Sequence, residues 1–257
     1  MFYLTTGPFC CCWTGINFYE YCWLFLDGLW VIGMSFSLPL AQAAKRLAPT
    51  RPTSSVLGPL TMSSVVGILF INVSFAFISL AALNNQDWYQ CRQWENEDVS
   101  NLVVIGDNYE AQTLFLVLGY QMISTAMAYN FGYEFRAGWL RNKVLVGLVC
   151  FFTLIHVYVI LVPGKLSCIW RVNCENDNVL YSFSAGRVLP IQNPFHTTLM
   201  PEEFRWTLLT LIAINTVLVM CWDYFVVNGW RKRMARRKRE RRVQFAVDPN
   251  IESFETV

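Results

Sequence analysis

Five apolar stretches, each about as long as a helix that crosses a bilayer, constrain this chain more than any other feature. A crossing helix needs about 20 predominantly apolar residues. The stretches run over about 21–41, with Asp27 inside, 57–83, 111–131, 144–162, and 206–227, with Asp223 inside. Only 15% of the 257 residues are charged, and 54% are hydrophobic. A soluble domain usually carries about 25% charge, so this balance argues against a disordered chain or a water-soluble globule. The expected fold is all-α, a polytopic transmembrane helical bundle with five full spans. A short apolar segment, 1–13, precedes them; it is too short to span, and it has neither a basic leader nor a small-residue cleavage site. It therefore does not read as a signal peptide. The expected organisation is 1–16 as a remnant of a preceding membrane helix, 17–230 as the bundle and 231–257 as a basic tail.

The connections alternate in charge. Lys45, Arg46 and Arg51 follow the first span, and Arg136, Arg141 and Lys143 follow the third. Between them lies an acidic connection with Asp87, Glu95, Glu97, Asp98 and Asp107. After the last span comes Arg231-Lys232-Arg233-Met234-Ala235-Arg236-Arg237-Lys238-Arg239. The positive-inside rule assigns the first and third connections and the C-terminus to the cytosol. With five spans, Tyr21 then begins on the opposite side, which implies a helix upstream. The connection over 163–203 carries four prolines and reads as irregular. Its Cys168 and Cys174 are close enough to close a small disulfide loop, with free thiols as the other reading. The tail, through Arg231, Lys232, Arg233, Arg236 and Arg237, would attract anionic lipid headgroups. Without interleaved aromatics it does not read as a nucleic-acid surface. The run Cys10-Cys11-Cys12 would be a palmitoylation site only on the cytosolic side, which this topology disfavours.

Nothing in the chain matches a phosphate-binding loop, a nucleophile–base constellation or a zinc spacing. No catalytic residue and no metal ligand is therefore assigned. The residue that stands out is Asp27. A carboxylate at the middle of a membrane costs about 2.5–3.5 kcal/mol on insertion scales, and no Lys or Arg lies within any span to neutralise it. It either meets a cationic ligand or is held protonated or hydrogen-bonded. Helical spacing puts Trp23 and Glu20 on its face, an acid–ring–acid array over about 10 Å. Such an array suits an elongated polycation. The competing reading makes Glu20 an interfacial acid and Trp23 part of the aromatic belt. Asp223, near the cytosolic end of its span, reads as a residue that snorkels outward. Gln121 reads as an interhelical hydrogen-bonding residue, and His156 as a satisfied core imidazole.

The order of motifs resembles the last five of ten membrane helices of the polyamine-transporting branch of the type 5 P-type ATPases. Asn17-Phe18-Tyr19-Glu20-Tyr21-Cys22-Trp23-Leu24-Phe25-Leu26-Asp27 is similar to that family's sixth helix. Leu47-Ala48-Pro49-Thr50-Arg51-Pro52-Thr53-Ser54 resembles the link before its seventh. Tyr109-Glu110, Gly119-Tyr120-Gln121, Phe131-Gly132 and Phe135-Arg136 resemble stations along its eighth. The likeness covers about 20–230. Two departures are Cys22, where a Gln is usual, and Thr53 in the Arg-Pro-Pro link. The resemblance implies that Asp27, Trp23 and Glu20 line part of a path for a polyamine or other cation. It also implies an endolysosomal or vacuolar membrane. ATP and Mg belong to the parent family, but its Asp-Lys-Thr-Gly-Thr phosphorylation motif is not in this sequence. The chain is thus expected to be the membrane portion of such a pump, unable to pump alone and partnered by the remaining half if that is separately encoded. The alternatives are a non-enzymatic interaction or regulatory protein of the same fold, and a small proton-coupled transporter that uses Asp27.

Overall fold

The structure is a computed structural model that describes residues 18, 20–45, 57–89, 108–132, 135–164, 167–174, 179–184, 187–192 and 199–247. The readings made above for 1–16, Cys10-Cys11-Cys12, Arg51-Pro52-Thr53 and the acids Glu95, Glu97, Asp98 and Asp107 lie outside the described residues.

Helix α1 is composite. It runs as α-helix over Glu20–Trp23, as π-helix over Leu24–Val31, as α-helix again over Ile32–Ser37 and ends in a 3-10 turn, Leu38–Leu40. Helix α2, Pro59–Asn84, starts with Pro59 just after Gly58. Proline suits that first position because its missing N–H would lack a helical partner anyway. Helix α3, Tyr109–Tyr129, is capped by Asn108, whose side chain accepts from the Ala111 amide at 2.6 Å. Asn142 caps α4, Lys143–Leu161, in the same way through the Leu145 amide. The last helix, α5, is continuous from 202 to 247: α-helix over Glu202–Cys221, π-helix over Trp222–Val227 and α-helix over Asn228–Val247. At 1.5 Å per residue it is about 69 Å long, more than twice the hydrocarbon thickness, so its basic end projects out of the membrane.

The architecture is the expected all-α membrane bundle. Among the described residues four helices are long and apolar enough to cross: Tyr21–Leu40, Pro59–Asn84, Lys143–Leu161 and Glu202–Arg237. The expectation of five full spans is corrected in one respect. The third stretch does form a helix of 21 residues, but α3 falls short of a span's apolarity. The reason is its place. Nearly all of α3 is buried, with Gln112, Thr113, Gln121, Ser124 and Thr125 inward, so its neighbours rather than lipid surround it. The other helices turn Leu24, Phe36, Phe70, Leu154 and Phe225 outward, as lipid-facing surfaces do. The connection after α4 is also less irregular than expected. It carries an antiparallel hairpin, β1 (Val179–Ser184) with β2 (Arg187–Gln192), registered Val179 to Gln192 and Ser184 to Arg187.

The first and third connections meet. Ala43 and Arg136 form an antiparallel bridge, with Ala137 N donating to Gln42 O at 2.8 Å and Ala44 N to Phe135 O at 3.2 Å. The Arg231 guanidinium lies 5.8 Å from the centre of the Phe135 ring. The basic connections and the basic helix therefore share one end of the bundle. At the opposite end Trp88 packs against Tyr109 and Phe204, and the Tyr89 hydroxyl donates to Glu110.

Two glycines permit close helix approach. A Cβ on Gly119 would lie 2.7 Å from the Trp30 ring and 3.1 Å from His156, and one on Gly67 would lie 2.1 Å from the Trp222 ring. Gly119→Val should cost about 1–3 kcal/mol, as overpacking usually does. This should lower the thermal midpoint in detergent. Gly147→Val, with nothing within 4 Å of the added carbon, should leave the midpoint nearly unchanged.

Candidate functional site

Asp27 lies in the π-helical turn of α1, between the buried Leu26 and Trp30 and the exposed Leu24 and Gly28. Its Oδ1 is buried and has no hydrogen-bond partner among the described residues. The Nε1 of Trp30, one turn on, is likewise buried and unpartnered. The adjoining Gly28 is exposed, and an added Cβ there would meet nothing within 4 Å. One acceptor and one donor thus stand unmatched in this turn. π-Turns of this kind recur at functional sites because they displace side chains from regular helical directions.

A shared face for Glu20, Trp23 and Asp27 requires a regular α-helix. The i→i+5 turn that begins at Leu24 alters that rotation, so the array is not the ideal one. Trp23 is half-buried and packs on Phe18, with ring centres 5.1 Å apart. Glu20 opens the helix.

Trp30, which sequence reasoning did not single out, is the centre of the aromatic packing. Its ring lies 5.8 Å from both Phe115 and Phe152, 5.0 Å from Phe25 and 5.3 Å from His156. Among so many apolar and aromatic residues, nothing in its spacing marks it. His156 is a core imidazole, as expected, with Nε2 2.5 Å from Leu116 O.

Asp223 does not snorkel. It is 3% exposed, sits in the π-helical turn of α5 and accepts from Ser64 Oγ at 2.7 Å. Trp222 Nε1 donates to the adjoining Ser63 O at 3.2 Å. The end of α5 is therefore latched to the start of α2, and the acid turns inward because a donor waits there. Farther along the same interface, Asn72 joins three helices. Its Nδ2 donates to Thr125 Oγ1 at 3.2 Å, its Oδ1 accepts from Asn215 Nδ2 at 3.1 Å and its carbonyl accepts from Gln121 Nε2 at 2.9 Å. Gln121 thus has the interhelical role expected of it. Asn72 and Asn215 were legible as lone amides in apolar spans, but no residue pattern paired them.

Comparison with known proteins gives this geometry a context. No family model matches the chain. It is 24% identical over 216 residues to the polyamine-transporting ATPase 13A3 of Homo sapiens, covering 77% of this chain and 16% of that protein. It is 22% identical over 233 residues to the Macaca fascicularis protein of the same name, covering 84% of the chain and 17% of that protein. It is 31% identical over 121 residues to the probable cation-transporting ATPase catp-6 of Caenorhabditis elegans, covering 47% and 9%. The chain is a relative of the P-type cation-transporting ATPases. It spans about one sixth of the length of these two polyamine-transporting ATPases.

In this ATPase relative, the end away from the basic helix is also organised by the loop after α4. Cys168 and Cys174 are joined in a disulfide. Asn173 donates through Nδ2 to Val159 O and Ile160 O, the last carbonyls of α4, while its Oδ1 accepts from Met200 N. At the other end Lys232, Arg233, Arg236 and Arg237 point outward from α5, and Arg236 pairs with Glu240. Among the described residues no group of three or more His, Cys, Asp or Glu converges.

If Asp223 serves as an acceptor, Asp223→Asn should keep most of the stability, whereas Ser64→Ala and Asp223→Leu should each cost about 0.5–2 kcal/mol, the scale of hydrogen bonds between membrane helices. Unfolding in mixed micelles would read this. Equal losses for Asn and Leu would show that the charge rather than the hydrogen bond matters.

Proposed function

We propose that this chain is membrane machinery of a polyamine- or cation-transporting P-type ATPase, supplying part of the cation path and the helices that support it. The observation that carries the reading is the buried, unpartnered Oδ1 of Asp27, in a chain related to proteins named as such transporters. A carboxylate removed from water is costly until it meets a cation or a donor. An ammonium group arriving at Asp27 would form a charge-assisted hydrogen bond in a poorly solvated site, where such bonds are strong. The Trp23 ring, one turn earlier, offers a π face to a second alkylammonium or to the methylene chain between them. Glu20 adds negative charge at the entrance of the same helix. ATP hydrolysis would be the work of domains this chain does not match.

The basic connections and the basic helix share one end, so the positive-inside rule makes that end cytosolic. Asp27 would then be approached along α1 from either face of the membrane. The exposed basic residues of α5 would rest on anionic headgroups, at about 1 kcal/mol each near the surface.

Spermine, a linear polyamine, serves as the probe. The full chain in lipid nanodiscs should bind it, and Asp27→Asn should weaken binding at least about ten-fold, since a hydrogen bond to a charged group is worth about 1.5–3 kcal/mol. Helix content and insertion should not change. In a pump that contains this segment, the same substitution should reduce polyamine-stimulated ATP turnover. An unchanged spermine affinity would overturn the assignment of Asp27. Proton-coupled flux by the chain alone, abolished by Asp27→Asn, would instead favour a small proton-coupled transporter.

A further inference from the structure

Connecting segments normally run over a protein's surface, because buried backbone must find partners. The segment 167–174, after α4, instead enters the bundle. Ser167 and every residue from Trp170 to Cys174 are buried. The surrounding helices match its polar groups. Trp170 O accepts from Cys22 Sγ of α1 at 3.2 Å, and Asn173 N donates to Gln112 Oε1 of α3 at 3.5 Å. Asn173 Nδ2 donates to Val159 O at 2.9 Å and Ile160 O at 2.8 Å, at the end of α4. The Trp170 ring meets Phe25 with centres 4.8 Å apart, and Phe25 meets Trp30 at 5.0 Å.

These contacts seat the segment on the part of α1 that leads to Asp27. Phe25 belongs to the same π-helical turn as Asp27. Phe25 and Cys22 precede Asp27 by about 3 and 7 Å along the helix, toward the end opposite the basic helix. The Cys168–Cys174 disulfide clamps the segment. Within it, Arg171 and Asn173 have φ of 54° and 49°, a left-handed conformation that non-glycine residues seldom adopt. Such conformations persist where the surroundings impose them, and they cluster at clamps and switch regions. Here the crosslink and the bonds of Asn173 impose them. Without the crosslink the turn relaxes, and the segment leaves its seat more often.

We propose that this disulfide-clamped segment is the plug of the cation path on the side away from the basic helix. Trp170 must leave Phe25, and its carbonyl must leave Cys22, before a cation reaches Asp27 from that side. The path rests on the transport reading above; the plug is what shuts it. The crosslink sets how often it opens.

Cys22 lies under the plug, 3% exposed, and serves as its reporter. The full chain in lipid nanodiscs is treated with a small cationic thiosulfonate, and modification at Cys22 is timed by mass spectrometry. Cys168→Ser with Cys174→Ser, and separately Trp170→Ala, should speed it at least about ten-fold. Trp170→Phe, which keeps a ring against Phe25, should hardly change it. Cys221, near the basic end of α5, should react at the wild-type rate in every variant, which separates local opening from a loosened bundle. In the opened variants spermine should slow modification of Cys22, and Asp27→Asn should remove that protection. Unchanged Cys22 rates in both opened forms would overturn the plug, as would Cys22 and Cys221 accelerating together. So would spermine that binds through Asp27 yet fails to protect Cys22. Local opening at Cys22 with no spermine binding at all would sink the transport reading, and the plug's part in a cation path with it, while leaving the closure itself established.

Discussion

Inside hydrocarbon there is no water to complete an unmade hydrogen bond, so every polar side chain must find another protein group, a ligand or a way out. The bundle is organised around that requirement. Asn72 gathers Thr125, Gln121 and Asn215 from two other helices, and Ser64 meets Asp223. Each contact contributes little by itself. Together they set the register and rotation of α2, α3 and α5, which nonspecific apolar packing would leave loosely determined. The same requirement makes Asp27 conspicuous, because its buried oxygen is not provided for among the described residues.

The two acids within the spans share a local device and differ in its use. Each sits in a π-helical turn, Leu24–Val31 for Asp27 and Trp222–Val227 for Asp223. A π-turn costs regular hydrogen-bond geometry and tends to persist where it places a side chain that an α-helix could not. At Asp223 the turn delivers the carboxylate to Ser64 and closes the helix interface. At Asp27 it leaves one carboxylate oxygen buried with no partner among the described residues. Structural need explains the first. The second is the oxygen on which the proposed cation path rests.

Much of the fold was legible, since spans, loop charges and helix caps are local properties. Asn108 and Asn142 stand just before their helices, and the apolar stretches predict the helices to within a few residues, except that α5 continues about twenty residues beyond its stretch. The candidate site was only half legible. Asp27 could be named because a lone acid in an apolar stretch is costly wherever the helix lies. Trp30 and Gly119 could not, since one aromatic among many carries no label until His156 and Phe152 are seen against it. Asp223 was misjudged because closeness to a helix end suggests escape to water. Whether a donor lies nearer than water depends on another helix 159 residues away in sequence.

Hydropathy and charge, taken residue by residue, determined that this chain enters a membrane and which connections share a side. These follow from transfer energies that each segment has regardless of its neighbours. Tertiary structure alone decided that α3 is the enclosed helix, that the polar residues converge on Asn72 and that one acid is satisfied while the other is not. Those outcomes depend on which helix faces meet, and pairing between distant segments is not a property of either segment alone.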